Sequence, residues 1–441
     1  MTKGLLRLWN QWASYNRNIK LILLTQLLFS IGMGMFMIVY NLYVRALGYE
    51  QIIVGEVVSS MAYGTALALV PAGILSDRLS RKKLVVFGGM MTVSTLFLRS
   101  VLEQADGLIH AAFVEGVFAA LIQVSFVPLL SEYSREEERV HLFSMLFALN
   151  MGANIFGNLG GGFMSDGWMR MFGMSEVLSL RWTLFVSIMI IMAAIVPMMK
   201  IQETQKKVKT KAMRPILTEI QEQQVTTGHR ASLFNFIKVH FPSLRLIFLF
   251  SIAQLFIGFG AGLVIPYLNL YFADRFAASA SVIGLIVSLG QAATALAMLF
   301  GPMVVRRFGE VKAIVVLQLA SIPFLLLTGL TNILFLAALG YLFRQALMNA
   351  GTPIQMSMMM NKVHERFRGL ANSISAVNFN LGWALMGPVS MQIVQAKGPY
   401  WGYAIVFMIT ALLYLVGSIY FYMIFRDTNE RAYALSVKNR I

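Results

Sequence analysis

The chain has 441 residues, 58% hydrophobic and 13% charged, with a formal net charge of +16 and no cysteine. A soluble globular protein carries about a quarter charged residues, so this sequence lacks the charge that a water-facing surface of its size needs. The missing cysteines exclude a disulfide framework and a thiolate metal site.

In chain order, MTKGLLRLWNQWASYNRNIK has no small-residue cleavage site and is not read as a signal peptide. Residues 1–19 are expected to lie as an amphipathic segment on the inner membrane surface, with Leu5, Leu8, Trp9 and Trp12 toward lipid. A hydrocarbon core about 30 Å thick requires roughly 20 apolar helical residues per crossing. Twelve stretches meet this, near 20–45, 52–76, 84–102, 108–131, 140–163, 180–199, 244–272, 281–305, 311–330, 332–360, 369–394 and 402–425. The polar stretch 200–243 divides six from six and reads as a cytoplasmic linker, with 426–441 a cytoplasmic tail. The fold class predicted is an all-α membrane protein of twelve transmembrane helices in two pseudo-symmetric six-helix bundles, 20–199 and 244–425.

The basic residues set the orientation. With the N-terminus in the cytoplasm, 29 of the 36 Lys and Arg residues fall on the inner side, six on the outer, and Arg344 is left inside a span. This is the positive-inside bias. It directs the basic charge to anionic lipid headgroups rather than to nucleic acid.

The two halves repeat each other. IGMGMFMIVYNLY from Ile31 matches IGFGAGLVIPYLNLY from Ile257, so that Gly32 and Gly34 answer to Gly258 and Gly260, and Asn41 to Asn269. NMGANIFGN from Asn150 matches NLGWALMGP from Asn380, and Pro128 pairs with Pro353. The offset stays between 225 and 230 residues. Parallel halves of this kind are one transporter architecture, with the binding site near the midplane.

Between the second and third spans the chain reads GILSDRLSRKK, Gly73 to Lys83. This resembles the loop signature of the major facilitator superfamily at Gly73, Leu75, Asp77, Arg78, Arg81 and Lys82, with Ser80 in place of a second glycine. The resemblance covers nearly the whole chain. It implies a gate role for this loop, in which Asp77 faces the positive N-terminus of the eleventh span. In the fifth span Gly157, Gly160 and Gly161 resemble the glycine motif of drug–proton antiporters, but Asn158 stands where they have proline. The helix 4 arginine of those antiporters is absent, and Glu115-Gly116 falls in its place.

Ionisable residues well inside the hydrocarbon are few: Arg344 and Glu115, with Glu56, Arg99 and His110 expected at the outer edge. An arginine at mid-span costs on the order of 2.5–3.5 kcal/mol to insert, which marks Arg344 as functional. The resemblance implies that spans 1, 4, 7 and 10 line a central cavity. Candidate substrate-binding residues are then Gln26, Tyr40 and Asn41; Glu115 and Gln123; Gln254, Tyr267 and Asn269; and Arg344, Gln345, Met348, Asn349, Thr352 and Gln355. A salt bridge between Arg344 and Glu115 is one arrangement these positions allow. Glu115 is also the candidate proton carrier, because burial raises a carboxyl pKa and a nearby cation lowers it.

The expected activity is secondary active transport by alternating access, proton-coupled, exporting a small amphipathic organic molecule. Uptake of an anionic or polyol nutrient, with Arg344 clamping the anion, is the alternative. The scattered His110, His141, His229, His240 and His364 show no metal-ligand spacing, and no phosphate-binding G-x-x-x-x-G-K-[ST] loop occurs. An intramembrane enzyme or an ATP-driven motor is therefore disfavoured, and the duplicated halves disfavour a channel. No cofactor is expected. The partners are the substrate, protons and the bilayer, in a monomer of a bacterial inner membrane.

Overall fold

The structure is a computed structural model that describes residues 15–202, 229–364 and 367–438. Most of the surface segment expected at residues 1–19 and most of the expected linker lie outside the described residues, and 17–19 belong to the first helix. Those described form α-helices and one 3-10 turn, with no strand among them. In order these are α1 (Arg17–Ala46), α2 (Gln51–Arg78), α3 (Arg81–Val101), α4 (Ala105–Tyr133), α5 (Glu136–Phe172), α6 (Glu176–Met199), α7 (His229–Val264), the 3-10 turn (Ile265–Tyr267), α8 (Leu268–Phe276), α9 (Ala280–Phe308), α10 (Glu310–Leu330), α11 (Leu334–Ala350), α12 (Thr352–Lys362) and α13 (Arg368–Lys438).

Ten helical stretches among the described residues are long and apolar enough to cross a membrane. One of them, inside α13, is two spans joined at Gly398, whose φ of 76° breaks the helix in a conformation that suits glycine. The tenth span is absent from the ten because it divides into α11 and α12, of 17 and 11 residues. With both resolved, the described residues carry twelve spans, as the hydropathy pattern predicts.

Prolines account for the two broken spans. Pro353 has no N–H to give to the Asn349 carbonyl, so the helix stops at Ala350 and restarts at Thr352. Pro266 likewise interrupts the seventh span, which passes from α7 through the 3-10 turn into α8. The sequence reading expected both spans as single helices. The largest other differences are that α5 continues to Phe172, nine residues past the expected end, that α7 starts at His229, inside the stretch read as linker, and that α13 runs to Lys438, through most of the stretch read as tail.

The chain divides into two compact units. One holds residues up to Lys206 together with Tyr267–Ala292, the other Lys207–Pro266 with Ala293–Ile441. In the first, Ile19, Ile22, Leu23, Val85, Leu130 and Met198 are among the residues that close one end of the bundle. In the second, Phe250 packs edge-on to Phe421 and tilted against Phe425, in a cluster that includes Ile314 and Met358. Large apolar side chains such as Leu67, Phe156, Phe163 and Phe335 are left exposed, as a lipid-facing surface requires.

Small residues fix the tightest helix contacts. A Cβ added at Gly116 of α4 would lie 2.0 Å from the Met61 carbonyl oxygen, and one at Gly64 of α2 2.1 Å from that of Phe113. The backbones of α2 and α4 thus meet at van der Waals distance, a packing mode of membrane helices. It seals the side of the bundle next to Glu115.

Candidate functional site

Glu115 and Arg99 form a buried ion pair within the first unit, at 1% and 3% exposure. An Arg99 Nη1–H donates to Glu115 Oε2. The guanidinium carbon lies 3.9 Å from the centre of the Tyr40 ring and 5.6 Å from that of Phe36, and those two rings stack at 4.9 Å. Three helices, α1, α3 and α4, therefore meet on one charge pair. In a low-dielectric interior each ion needs the other, and the aromatic face adds cation–π attraction. Arg99 Nε has no hydrogen-bond partner, so the cluster keeps unused polar capacity.

Arg99, expected at the outer edge, stands two residues from the end of α3 and is buried there. Its place near the end of α3 suggested exposure, but α1 packs its aromatic residues across that end and buries it. This burial also gives Glu115 its ionic partner, which is Arg99 of the neighbouring helix.

A second cluster gathers around the broken seventh span. Asn41 Nδ2 donates to Asn269 Oδ1 at 3.1 Å. Asn269 in turn donates to the Ile38 carbonyl at 3.0 Å and accepts from the N–H of Leu270 at 2.9 Å. It thereby ties the first turn of α8 to α1. Nearby, Arg45 pairs with Asp274 at 2.5 Å and lies 3.8 Å from Glu176. Tyr267 is buried, with its hydroxyl 3.5 Å from the Gly55 carbonyl. At the start of α9, Ser281 donates from its N–H to Asp166 at 3.0 Å and also from its hydroxyl.

Arg344 lies on α11 in the second unit at 3% exposure. Its Nη1 donates to Gln345 Oε1 at 2.9 Å and its Nη2 to the Tyr414 hydroxyl, while Nε is unpartnered. Both partners are neutral. Among the described residues, no carboxylate lies within salt-bridge distance of it. Tyr414 is itself fully buried, its ring wedged where α7 carries Gly260: a Cβ there would be 2.7 Å from the ring.

The remaining candidates are more dispersed. Gln345 and Met348 are buried, and the Ser321 hydroxyl lies 3.8 Å from the Met348 sulfur. Asn349 and Gln355 are half-buried and Thr352 is exposed. The break at Gly351 puts Thr352 and Gln355 on α12, so they do not share one continuous helix face with Arg344. Gln26 is half-buried and donates to Ser30 at 2.8 Å. Gln254 is half-buried and Gln123 exposed.

Where α2 passes into α3, across Gly73 to Lys83, Arg81 lies 3.5 Å from Asp77 and 2.5 Å from Glu132 at the end of α4. Lys82 donates to the Ile201 carbonyl at 2.8 Å, and Arg78 is exposed. Ser80 caps α3, accepting from the N–H of Lys83 at 3.4 Å with an ordinary extended backbone. A serine therefore serves where the family signature has glycine. Gly73 has open space around it. Sequence reasoning missed Glu132, Tyr414, Asp166 and Asp274. An acidic residue in the last turn of α4 facing a basic loop was the available signal for Glu132, while the others depend on contacts far apart in sequence.

The comparisons agree with this architecture. The sequence matches the profile described as Major Facilitator Superfamily over residues 22–251 and 250–439. It is 22% identical over 329 residues to an uncharacterized MFS-type transporter of Methanocaldococcus jannaschii, covering 73% of this chain and 77% of that one. Among solved structures, the fold is similar to a nucleoside transporter, with a TM-score of 0.70 and 15% identity over 93% of this chain and 99% of that one. It is also similar to a bacterial homolog of the human lysosomal transporter Spinster, with a TM-score of 0.70 and 13% identity over 92% and 96%. A D-xylose–proton symporter gives a TM-score of 0.67 and 14% identity over 92% and 97%. At these identities the structures show the fold alone. The profile match spans the chain, and the protein is thus an integral membrane secondary transporter that belongs to the major facilitator superfamily.

Proposed function

We propose that this transporter is proton-coupled and exports a small amphipathic organic molecule by alternating access, with Glu115 as the proton carrier. The observation that carries the reading is the buried Arg99–Glu115 pair. A carboxylate held by one cation in a dry site changes its proton affinity steeply when that cation moves. Arg99 is anchored from α3 and stacked on Tyr40 of α1, so a shift between these helices lengthens the ion pair and favours protonation of Glu115. Return of Arg99 expels the proton. Export as the direction rests on the glycines of α5, which resemble those of drug–proton antiporters. The basic-residue bias supports an orientation with both termini in the cytoplasm.

The test is uphill efflux of amphipathic fluorophores, anionic, zwitterionic and cationic, from energised cells with and without a protonophore. Wild type should expel at least one class, the protonophore should abolish this, and Glu115→Gln should fail at normal expression. Efflux that persists in Glu115→Gln with unchanged protonophore sensitivity would remove Glu115 from the coupling step.

A further inference from the structure

We propose that Arg344, Gln345 and Tyr414 form the recognition site for a carboxylate group of the cargo, so that the transported molecule is an organic anion. The inference deepens the transport reading above and rests on it.

The argument is electrostatic. A buried guanidinium is stable when an opposite charge accompanies it, and Arg99 shows how this chain meets that need, with Glu115 beside it. Arg344 is as deeply buried as Arg99, yet its bonds run only to a side-chain amide and a phenol. Two of its N–H donors are engaged and Nε is not. What is left is an unsatisfied buried N–H on one edge of a planar fork, a geometry that matches the two oxygens of a carboxylate. Tyr414 is positioned independently of any ligand, because Gly260 of α7 leaves room for its ring and for little else. Its hydroxyl holds Arg344 while remaining able to turn its own proton toward an incoming oxygen. Gln345 offers an amide N–H in the same way. A neutral or cationic cargo would leave the guanidinium without a counter-charge, and a cation would add repulsion.

The experiment measures thermal shifts of the purified full chain in detergent. The probes are matched triplets of carboxylate, primary amide and amine on acetyl, octanoyl, benzoyl, naphthoyl and gluconoyl skeletons. At least one carboxylate should raise the wild-type Tm by several degrees while its amide and amine leave it unchanged. Arg344→Gln should lose that shift and keep an apo Tm at or above wild type, because it removes an uncompensated charge; a purely structural arginine would lower it. If Arg344→Gln does not fold, Arg344→Lys and Tyr414→Phe carry the test, each expected to weaken the shift several-fold. Equal shifts from amides or amines, no shift from any carboxylate, or a carboxylate shift that survives in Arg344→Gln would overturn the proposal. Protonophore-sensitive efflux of a neutral or cationic fluorophore without any carboxylate shift would overturn the anion class and leave the exporter reading standing. A carboxylate shift without protonophore-sensitive transport would do the reverse.

Discussion

Asn41 and Asn269, which occupy equivalent places in the two sequence repeats, are hydrogen-bonded to each other at 3.1 Å. The duplication thus put the same amide in both copies, and the fold uses one as donor and the other as hub. Asn269 also serves the Ile38 carbonyl and the Leu270 N–H, so the two positions are unequal. Asn269→Ala should destabilise the protein more than Asn41→Ala. A thermal-unfolding double-mutant cycle should give a coupling of about 0.6 kcal/mol, the usual scale for such bonds between membrane helices. Equal losses from the two single substitutions would contradict the hub role.

The Arg99–Glu115 pair predicts a non-additive series. Removing one partner leaves the other charged and buried, at a cost of about 3–5 kcal/mol, so Arg99→Ala and Glu115→Ala should each lower expression and Tm sharply. Replacing both with apolar residues, Arg99→Met with Glu115→Leu, should restore most of the stability while transport stays lost. Recovery of transport together with stability would make the pair a structural fixture only.

Two glycines beside functional residues should respond oppositely to alanine. Gly116→Ala forces a Cβ to 2.0 Å from a backbone oxygen of α2, and such overpacking typically costs about 1–3 kcal/mol. Gly73→Ala meets nothing within 4 Å and should leave Tm within about 0.5 kcal/mol of wild type in stability, as for an ordinary surface substitution. A calorimetric or fluorescence melt of both variants decides this. A large loss of stability in Gly73→Ala would show that this end of α2 is packed more tightly than the space around Gly73 indicates.

Gly260→Ala tests how Tyr414 is held. The added methyl would come within 2.7 Å of the ring, so the phenol must move and release Arg344. The expected result is a folded protein with a Tm reduced by a few degrees and a carboxylate-induced shift reduced more than in Gly73→Ala. An undiminished shift would separate Tyr414 from the arginine's function.

The membrane-spanning architecture was legible because each crossing is a local property of about twenty residues. The broken spans could have been read from Pro266 and Pro353, since a missing N–H is written in the sequence, but hydropathy alone runs straight through them. Side-chain partnership was harder. Depth along a span suggested Arg344 as one partner for Glu115, and depth suggested exposure for Arg99. What decides a partner is which way each helix turns its face and which neighbour covers it. The Arg99 environment is set by aromatic residues of α1, about sixty positions away. Likewise Tyr414, seventy residues after Arg344, has no local mark that distinguishes it from the other tyrosines of the chain.

Because Arg99 travels with a carboxylate and Arg344 with neutral groups, the two buried arginines differ in how a voltage acts on them. A transmembrane potential exerts force only on net charge, worth about 2.3 kcal/mol per elementary charge for each 100 mV crossed in full. The ionised Arg99–Glu115 pair carries no net charge for the field to move, whereas Arg344, bonded to neutral groups, is a net charge that the field can push. An occupant carrying one negative charge would silence that response, so loaded and unloaded carriers would differ in their electrical signature as well as in their contents.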